Sequence, residues 1–534
     1  MTNKDVLLLR NGVWYLANIS GEHSLSERAG VKTSFWDYLS LQSSNLLCLP
    51  VQILIVALIT RLLGSEGYGH IVLYNMAVGL GLMVGVNWTA GSVLRFGREE
   101  FELKGKMNHT FWARNAMMVP CLLVWLAIVL LFKDTISQYI GMPPWAVGLL
   151  TGSVFLGALN NYLICILQAI RRLKAYAAVQ VIGSATAAGG LILVFLKVFR
   201  ADFLAVIILG IVSLTVTIMV TCIFWVPRSV LLPIKTDRKT LREIFQFSYP
   251  IILASLSGYI VNWVDVVMIK RYLTVSDVGG YQVAYQTFLF ALSLILVVST
   301  LTTPILISFL THAREDLILH YSVRIAPQGF LIWSVAVGIG LAISPMAFRI
   351  VFGNQFVTSI FYFQFLAMGL AFNAIPIFCN GIMMAYKMIK YSMAINILMA
   401  LLNLFGDLLL IPVLGAVGAA VSTSAAIGVS AFLNLLMCQK CLRTNLCWQL
   451  SLILPAFLSL GVSRLFLSPL APLLAIGASL AAGYYLGKKF YIFQEEDLLF
   501  LDYIKMPEWL KRMILWLYPF LVTKTGSMTK EVHA

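Results

Sequence analysis

Residues 59–75 read ITRLLGSEGYGHIVLYN, and residues 269–286 read IKRYLTVSDVGGYQVAYQ. Each is a short Gly-rich turn between two apolar runs, and the two resemble each other. Glu66, Gly69 and Tyr74 match Asp277, Gly280 and Tyr285 at a constant offset, while Arg61 and Leu63 match Arg271 and Leu273 one residue out of step. A second pair supports the repeat: Ala169, Arg171 and Lys174 against Ala385, Lys387 and Lys390. The spacing predicts two units of six helices in the same orientation, with further helices after them. Parallel repeats of this kind are a transporter signature, with the substrate path between the two halves.

Outward from these turns, the chain is a succession of apolar runs. A membrane helix needs about 20 apolar residues. Fourteen candidate spans follow: 36–60, 70–94, 111–132, 145–169, 175–197, 203–226, 246–270, 280–309, 326–351, 357–383, 391–412, 414–437, 447–467 and 470–491. The expected class is therefore an all-α integral membrane protein, two pseudo-symmetric six-helix bundles around a central cavity plus two extra helices. The expected parts are a polar segment (1–34), a first bundle (35–226), a basic linker (227–245), a second bundle (246–437), an additional helix pair (447–491) and a tail (492–534). In the tail, Trp509, Leu510, Met513, Ile514, Leu517 and Phe520 recur at helical spacing, which suits a helix lying in the membrane interface. The first apolar run, Val6–Leu9, is too short for a signal peptide. The first span is thus expected to serve as the insertion signal.

Composition excludes other classes. Of 534 residues, 60% are hydrophobic and 11% charged, with a mean hydropathy of +0.88. Soluble domains run about 45–50% apolar and about 25% charged. A soluble enzyme, a secreted disulfide scaffold and a disordered regulator are all excluded. The net charge of +15 does not point to nucleic acid, because the basic residues sit between apolar runs. Thirty of the 38 Lys and Arg residues fall in alternate segments beginning with the N-terminal one, and the other eight in the opposite loops. The positive-inside rule then puts both termini in the cytoplasm and both quoted turns outside. None of these cations is expected in the middle of a span. The eight cysteines are scattered; Cys438 and Cys441 form one C-x-x-C, a weak metal or redox signal without a second pair. No metal and no cofactor is expected, and no G-x-x-x-x-G-K offers an ATP site.

Three stretches carry a family resemblance. They are Arg61, Leu63, Gly64, Tyr68 and Gly69; Asp265, Ile269, Gly279, Tyr281 and Ala284; and Asn403, Asp407, Leu408–Leu410, Ile411, Pro412, Gly415, Gly418, Ala419 and Ala420. Together they resemble the polysaccharide exporters and O-antigen flippases of the multidrug/oligosaccharidyl-lipid/polysaccharide superfamily, from about Phe35 to Tyr491. The resemblance implies two bundles that open alternately to each side. It also implies an undecaprenyl-diphosphate-linked sugar unit as cargo, in a bacterial or archaeal plasma membrane. Membrane lipids, a polysaccharide polymerase and chain-length proteins are the partners it suggests.

Moving a diphosphate and many hydroxyls through hydrocarbon requires a polar groove, cations for the phosphates and a source of power. Two acids lie well inside apolar spans, Asp265 and Asp407. Asn262 flanks the first, and Asn403 stands one helical turn before the second. Intramembrane acids are functional-site candidates by default, here as a proton or Na⁺ coupling site; the alternative is a structural acid bonded to a neighbouring helix. Phosphate candidates are Arg61, Lys270 and Arg271 at the outer ends, and Arg95, Arg171, Arg172 and Lys174 at the inner ends, since arginine donates two parallel bonds to phosphate. Anchoring helix ends is the competing role for each. Asn87, Asn160, Asn161, Gln168, Gln286, Asn373 and Asn380 are candidates for a sugar-accepting groove, or else for interhelical hydrogen bonding.

The expected function is translocation of a lipid-linked oligosaccharide for surface polysaccharide or lipopolysaccharide synthesis, driven by an ion gradient. A multidrug or organic-cation antiporter of the same superfamily is the alternative. A membrane glycosyltransferase or polymerase fits less well, because no external loop exceeds about 15 residues and no D-x-D occurs. The expectation is therefore a transporter, not an enzyme.

Overall fold

The structure is a computed structural model that describes residues 8–10, 13–15, 22–198, 202–227, 237–465, 470–494, 497 and 512. The amphipathic segment expected at 507–522 and the middle of the basic linker (228–236) lie outside the described residues, apart from the single residue Arg512.

Two short antiparallel strands open the chain, β1 (Leu8–Arg10) and β2 (Val13–Tyr15), with Leu9 opposite Trp14. Everything described after them is helical or a short connection between helices. The first helix, α1 (Glu22–Gly85), begins 14 residues before the expected span and carries the first two spans in one element. Gly64 separates them: its φ of 70° is left-handed, which only glycine adopts freely. The remaining long helices of the first half are α2 (Asn108–Leu131), α3 (Val147–Ala169), α4 (Leu173–Phe195) and α5 (Phe203–Phe224). The second half holds α6 (Arg238–Tyr272), α7 (Val275–Thr311), α8 (Ala326–Val351), α9 (Val357–Ala385), α10 (Ile389–Leu414) and α11 (Ala416–Leu442). The last pair, α12 (Leu454–Leu465) and α13 (Ala471–Lys489), packs on itself and on α8.

Each of the fourteen expected spans falls mainly on helix among the described residues. Among the described residues, however, eleven helices are long and apolar enough to cross a membrane. The first two expected spans are continuous, and α6 and α13 lie outside that set. The second expected span is also irregular at its end. Beyond Gly85 it continues as a 3₁₀ turn (Asn87–Thr89), a single α-turn and a π-turn (Val93–Gly97).

Local chemistry sets several helix starts. The Thr274 hydroxyl accepts from the Asp277 amide, and the Asp277 carboxylate accepts from the Thr274 amide, a capping box at the head of α7. Asp202 and Asp237 cap α5 and α6 in the same sense. Burial then assembles the helices. Within the first half α1 packs on α3 and α4, and within the second half α9 packs on α7 and α11.

The two halves meet where the two quoted turns lie. The Ser65 and Ser276 hydroxyls are 2.6 Å apart, 211 residues away in sequence. A Cβ on Gly69 would stand 2.1 Å from the Val275 carbonyl oxygen, and one on Gly279 would stand 2.0 Å from that of Ser65. Residue 69 relates to 279 as 65 does to 275, so these two contacts are images of each other at an offset of 210. Side chains longer than hydrogen are excluded from both sites by backbone, which explains the glycines. Further along, α6 lies against the first half: the Tyr259 hydroxyl donates to the Met76 carbonyl at 2.8 Å, and Phe247 packs edge-on against Phe96.

Candidate functional site

Asp265 is carried by α6, a helix long enough to bring it well inside the apolar layer. It is 4% exposed. Three donors converge on its carboxylate. The Tyr281 hydroxyl, from the second turn of α7, donates to Oδ2. The Asn403 amide nitrogen, from α10, donates to Oδ1 at 3.1 Å, and the Thr423 hydroxyl, from α11, to Oδ2 at 3.3 Å. Asp407 lies one turn beyond Asn403 on the same face of α10 and is fully buried. Its carboxyl adjoins that of Asp265. The Ser422 hydroxyl donates to Asp407 Oδ1 and stands 3.3 Å from Asn403 Oδ1. Asp407 Oδ2 has no hydrogen-bond partner among the described residues.

Four helices thus deliver two carboxylates, an amide and three hydroxyls to one buried point. The four ion pairs among the described residues involve neither acid. Two bare carboxylates side by side in a low-dielectric interior repel strongly and lose their hydration. A proton or a small hard cation relieves both penalties, and oxygen ligands of this kind suit either. Asn262 is not part of this set. It is exposed, donates to the Gly258 carbonyl at 2.9 Å and lies 3.5 Å from the Tyr285 hydroxyl.

Several of the cations named from sequence serve helix ends. Arg61 donates through Nε to the Val351 carbonyl at 2.9 Å and through Nη2 to that of Ile350, closing the end of α8. Arg172 donates to the Trp225 carbonyl at 2.9 Å, just past α5. Lys270 and Arg271 occupy the last turn of α6, where positive charge complements the helix dipole. Arg95 lies 5.0 Å from the Phe247 ring centre. Arg171, with a φ of 57°, and Lys174 are exposed. The polar side chains proposed for a sugar groove differ in exposure. Asn87 is exposed at the start of the 3₁₀ turn. Asn160, Gln168, Gln286, Asn373 and Asn380 are half-buried, and Asn161 accepts from the Cys165 thiol at 3.7 Å. All eight cysteines are free.

Sequence reasoning gave no site role to four residues, although Tyr281 stood in one of the quoted motifs. Tyr281, Ser422 and Thr423 complete the acid cluster. The run Ser422–Thr423–Ser424, polar inside an apolar helix, was the available signal. The fourth is Arg114, which the sequence reading groups with the loop cations. It lies inside α2 and is fully buried. Its Nε donates to the Thr89 hydroxyl at 2.8 Å, its guanidinium stands 4.3 Å over the Tyr162 ring, and Nη1 has no partner among the described residues.

Fold and site together define a class: multi-pass helical membrane proteins with buried acids in the second of two halves. Solved structures agree on the fold. The chain resembles "Lipid II flippase MurJ, inward closed conformation" with a TM-score of 0.65 and 15% identity, over 84% of this chain and 98% of that one. It also resembles an inward-facing multidrug resistance MATE family transporter of the MOP superfamily, with a TM-score of 0.56 and 15% identity over 74% and 94% of the two chains. At these identities the likeness concerns the fold. In sequence, the polysaccharide biosynthesis protein family matches residues 37–309, more than half of the chain, and the chain belongs to that family. A curated relative is the "Probable low-salt glycan biosynthesis flippase Agl15" of Haloferax volcanii, 26% identical over 321 residues. That match covers 59% of this chain and spans 65% of the relative's length.

Proposed function

We propose that this protein carries a polyprenyl-diphosphate-linked oligosaccharide across the cell membrane by alternating access of its two halves, and that a cation gradient powers it through the Asp265–Asp407 cluster. The family and the flippase relative support the cargo class. The single observation behind the coupling is the meeting of Asp265 and Asp407, from two helices 142 positions apart in sequence, with Asn403, Ser422 and Thr423 gathered around them. Donors satisfy Asp265 by itself; what a purely structural acid does not need is a second carboxylate beside it, with Asp407 Oδ2 left without a hydrogen-bond partner among the described residues. We read the cation as Na⁺, with a proton as the other outcome of the test. By the charge asymmetry both termini face the cytoplasm and the Ser65–Ser276 contact lies on the outer side. The exposed Arg171 and Lys174, on the inner side in that orientation, remain the proposed phosphate contacts. A polymerase and chain-length proteins remain the proposed partners.

The test is deletion followed by glycolipid analysis, with complementation by the parent chain and by Asp265→Asn. Loss of the chain is expected to leave lipid-linked units on the cytoplasmic face, and D265N is expected to rescue poorly. Rescue by D265N that still follows the imposed gradient sinks the coupling. Unchanged surface glycan on deletion, with drug sensitivity gained instead, supports the organic-cation antiporter.

A further inference from the structure

We propose that Tyr281 is the positioning residue that links the charge at the acid cluster to the contact between the two halves. The inference rests on the cation reading above. Tyr281 is a large, fully buried side chain, 1% exposed, and its hydroxyl donates to Asp265 Oδ2. Two residues earlier on the same helix stands Gly279, pressed on the Ser65 carbonyl. One residue before Gly279, Val278 is fully buried. The start of α7 therefore touches both places. Its glycine face seats on α1, and its phenol is tied to α6.

A phenol can donate one hydrogen bond. A cation bound between Asp265 and Asp407 draws on the same carboxylate lone pairs and repels the phenolic proton. Cation and Tyr281 hydroxyl therefore compete for Oδ2. When the hydroxyl holds Oδ2, the start of α7 is fixed relative to α6, and Gly279 and Ser276 are presented to Ser65. When the cation holds it, that restraint is lost and the contact between the halves weakens. Tyr285 lies on the same face, stacked on Tyr281 at 6.0 Å between ring centres, but its hydroxyl is directed to Asn262 rather than to an acid. It serves as an internal control.

The experiment uses the full chain in proteoliposomes, on a background with the eight native cysteines replaced and with S65C and S276C introduced as a cross-link pair. The probe is Na⁺, with choline as the replacement ion. In the Tyr281 protein, Na⁺ is expected to lower the cross-link yield several-fold. In Y281F the yield is expected to be the same in both salts, while Na⁺ still raises the melting temperature, which shows that the variant is folded and binds the ion. Y285F is expected to behave as the parent. Y281Q, which keeps an N–H donor on a shorter side chain, is expected to recover part of the response. A Y281F protein with the parent's Na⁺ response overturns this inference alone. A Y281Q protein that responds no more than Y281F also overturns it and leaves the cation reading standing. No Na⁺ response in the parent pair, in yield and in melting temperature together, overturns the cation reading and this inference with it.

Discussion

Replacing Gly279 with alanine tests the contact between the halves directly. The added Cβ would stand 2.0 Å from the Ser65 carbonyl oxygen, 2.9 Å from the Gly69 nitrogen and 3.1 Å from the Ser65 carbonyl carbon. All three neighbours are backbone, so no side chain can swing away. Ordinary van der Waals contact begins near 3.4 Å. The start of α7 and the second span of α1 must then separate by about 1.4 Å at this point, which also stretches the 2.6 Å Ser65–Ser276 bond. Overpacking of this kind costs about 1–3 kcal/mol. Paid only in the closed arrangement, that cost shifts the closed-to-open ratio about 5- to 150-fold. The same S65C/S276C pair reports it: the yield in G279A is expected to fall, and labelling of S276C by an impermeant maleimide added outside is expected to rise. Gly148 and Gly340 have nothing within 4 Å of an added Cβ, so G148A and G340A serve as controls with parental behaviour. A G279A protein whose cross-link yield matches that of the controls would falsify the tight-contact account. Gly69→Ala, whose Cβ meets the Val275 carbonyl oxygen at 2.1 Å, is expected to repeat the effect.

Two further outcomes follow from single residues. Arg114 is a buried cation whose hydrogen bonds go to a hydroxyl and a carbonyl, and a buried ion carries a desolvation penalty that an apolar side chain of similar volume does not. Arg114→Met is therefore expected to raise the melting temperature; a lower melting temperature contradicts that account. Asp237 caps α6, and hydrogen bonds from the Thr240 hydroxyl and amide hold its carboxyl below the usual carboxylate range. The cap's contribution is then complete above the unfolded carboxyl's ordinary value and is lost as the pH falls through the lower, folded one. An Asp237→Ala protein, expected to lose about 0.5–2 kcal/mol, should differ from the parent in thermal melts near neutral pH and converge with it in strong acid.

Much of this protein is legible from sequence because hydropathy acts locally. A run of apolar residues must become a helix in lipid whatever its neighbours do, since every backbone polar group has to be satisfied within the segment. The succession of apolar helices and the i, i+4 pairing of Asn403 with Asp407 follow from that. The paired turns were legible too: matched letters fall at offsets of 211 and 210, and so do the contacts, Ser65 with Ser276 at 211 and the symmetric glycine contacts at 210. What packing adds is the reason for the glycines, because a carbonyl oxygen admits a neighbour this closely only where no Cβ stands.

The cation candidates show where sequence stops. Arg61 and Arg172 looked equally suited to phosphate and to helix ends, and only the positions of Val351, Ile350 and Trp225 distinguish the two uses. Arg114 looked like one more loop charge until Thr89, Val86 and Tyr162 closed around it. By itself, the sequence determined that this chain lives in a membrane, that it is built of paired helical units, and that two of its acids are costly enough to need a reason. The tertiary structure decided that those acids share one site and that Tyr281, Ser422 and Thr423 complete it. The physical reason is distance: burial preference is written residue by residue, whereas a hydrogen bond between α6, α7, α10 and α11 exists only once four helices have packed.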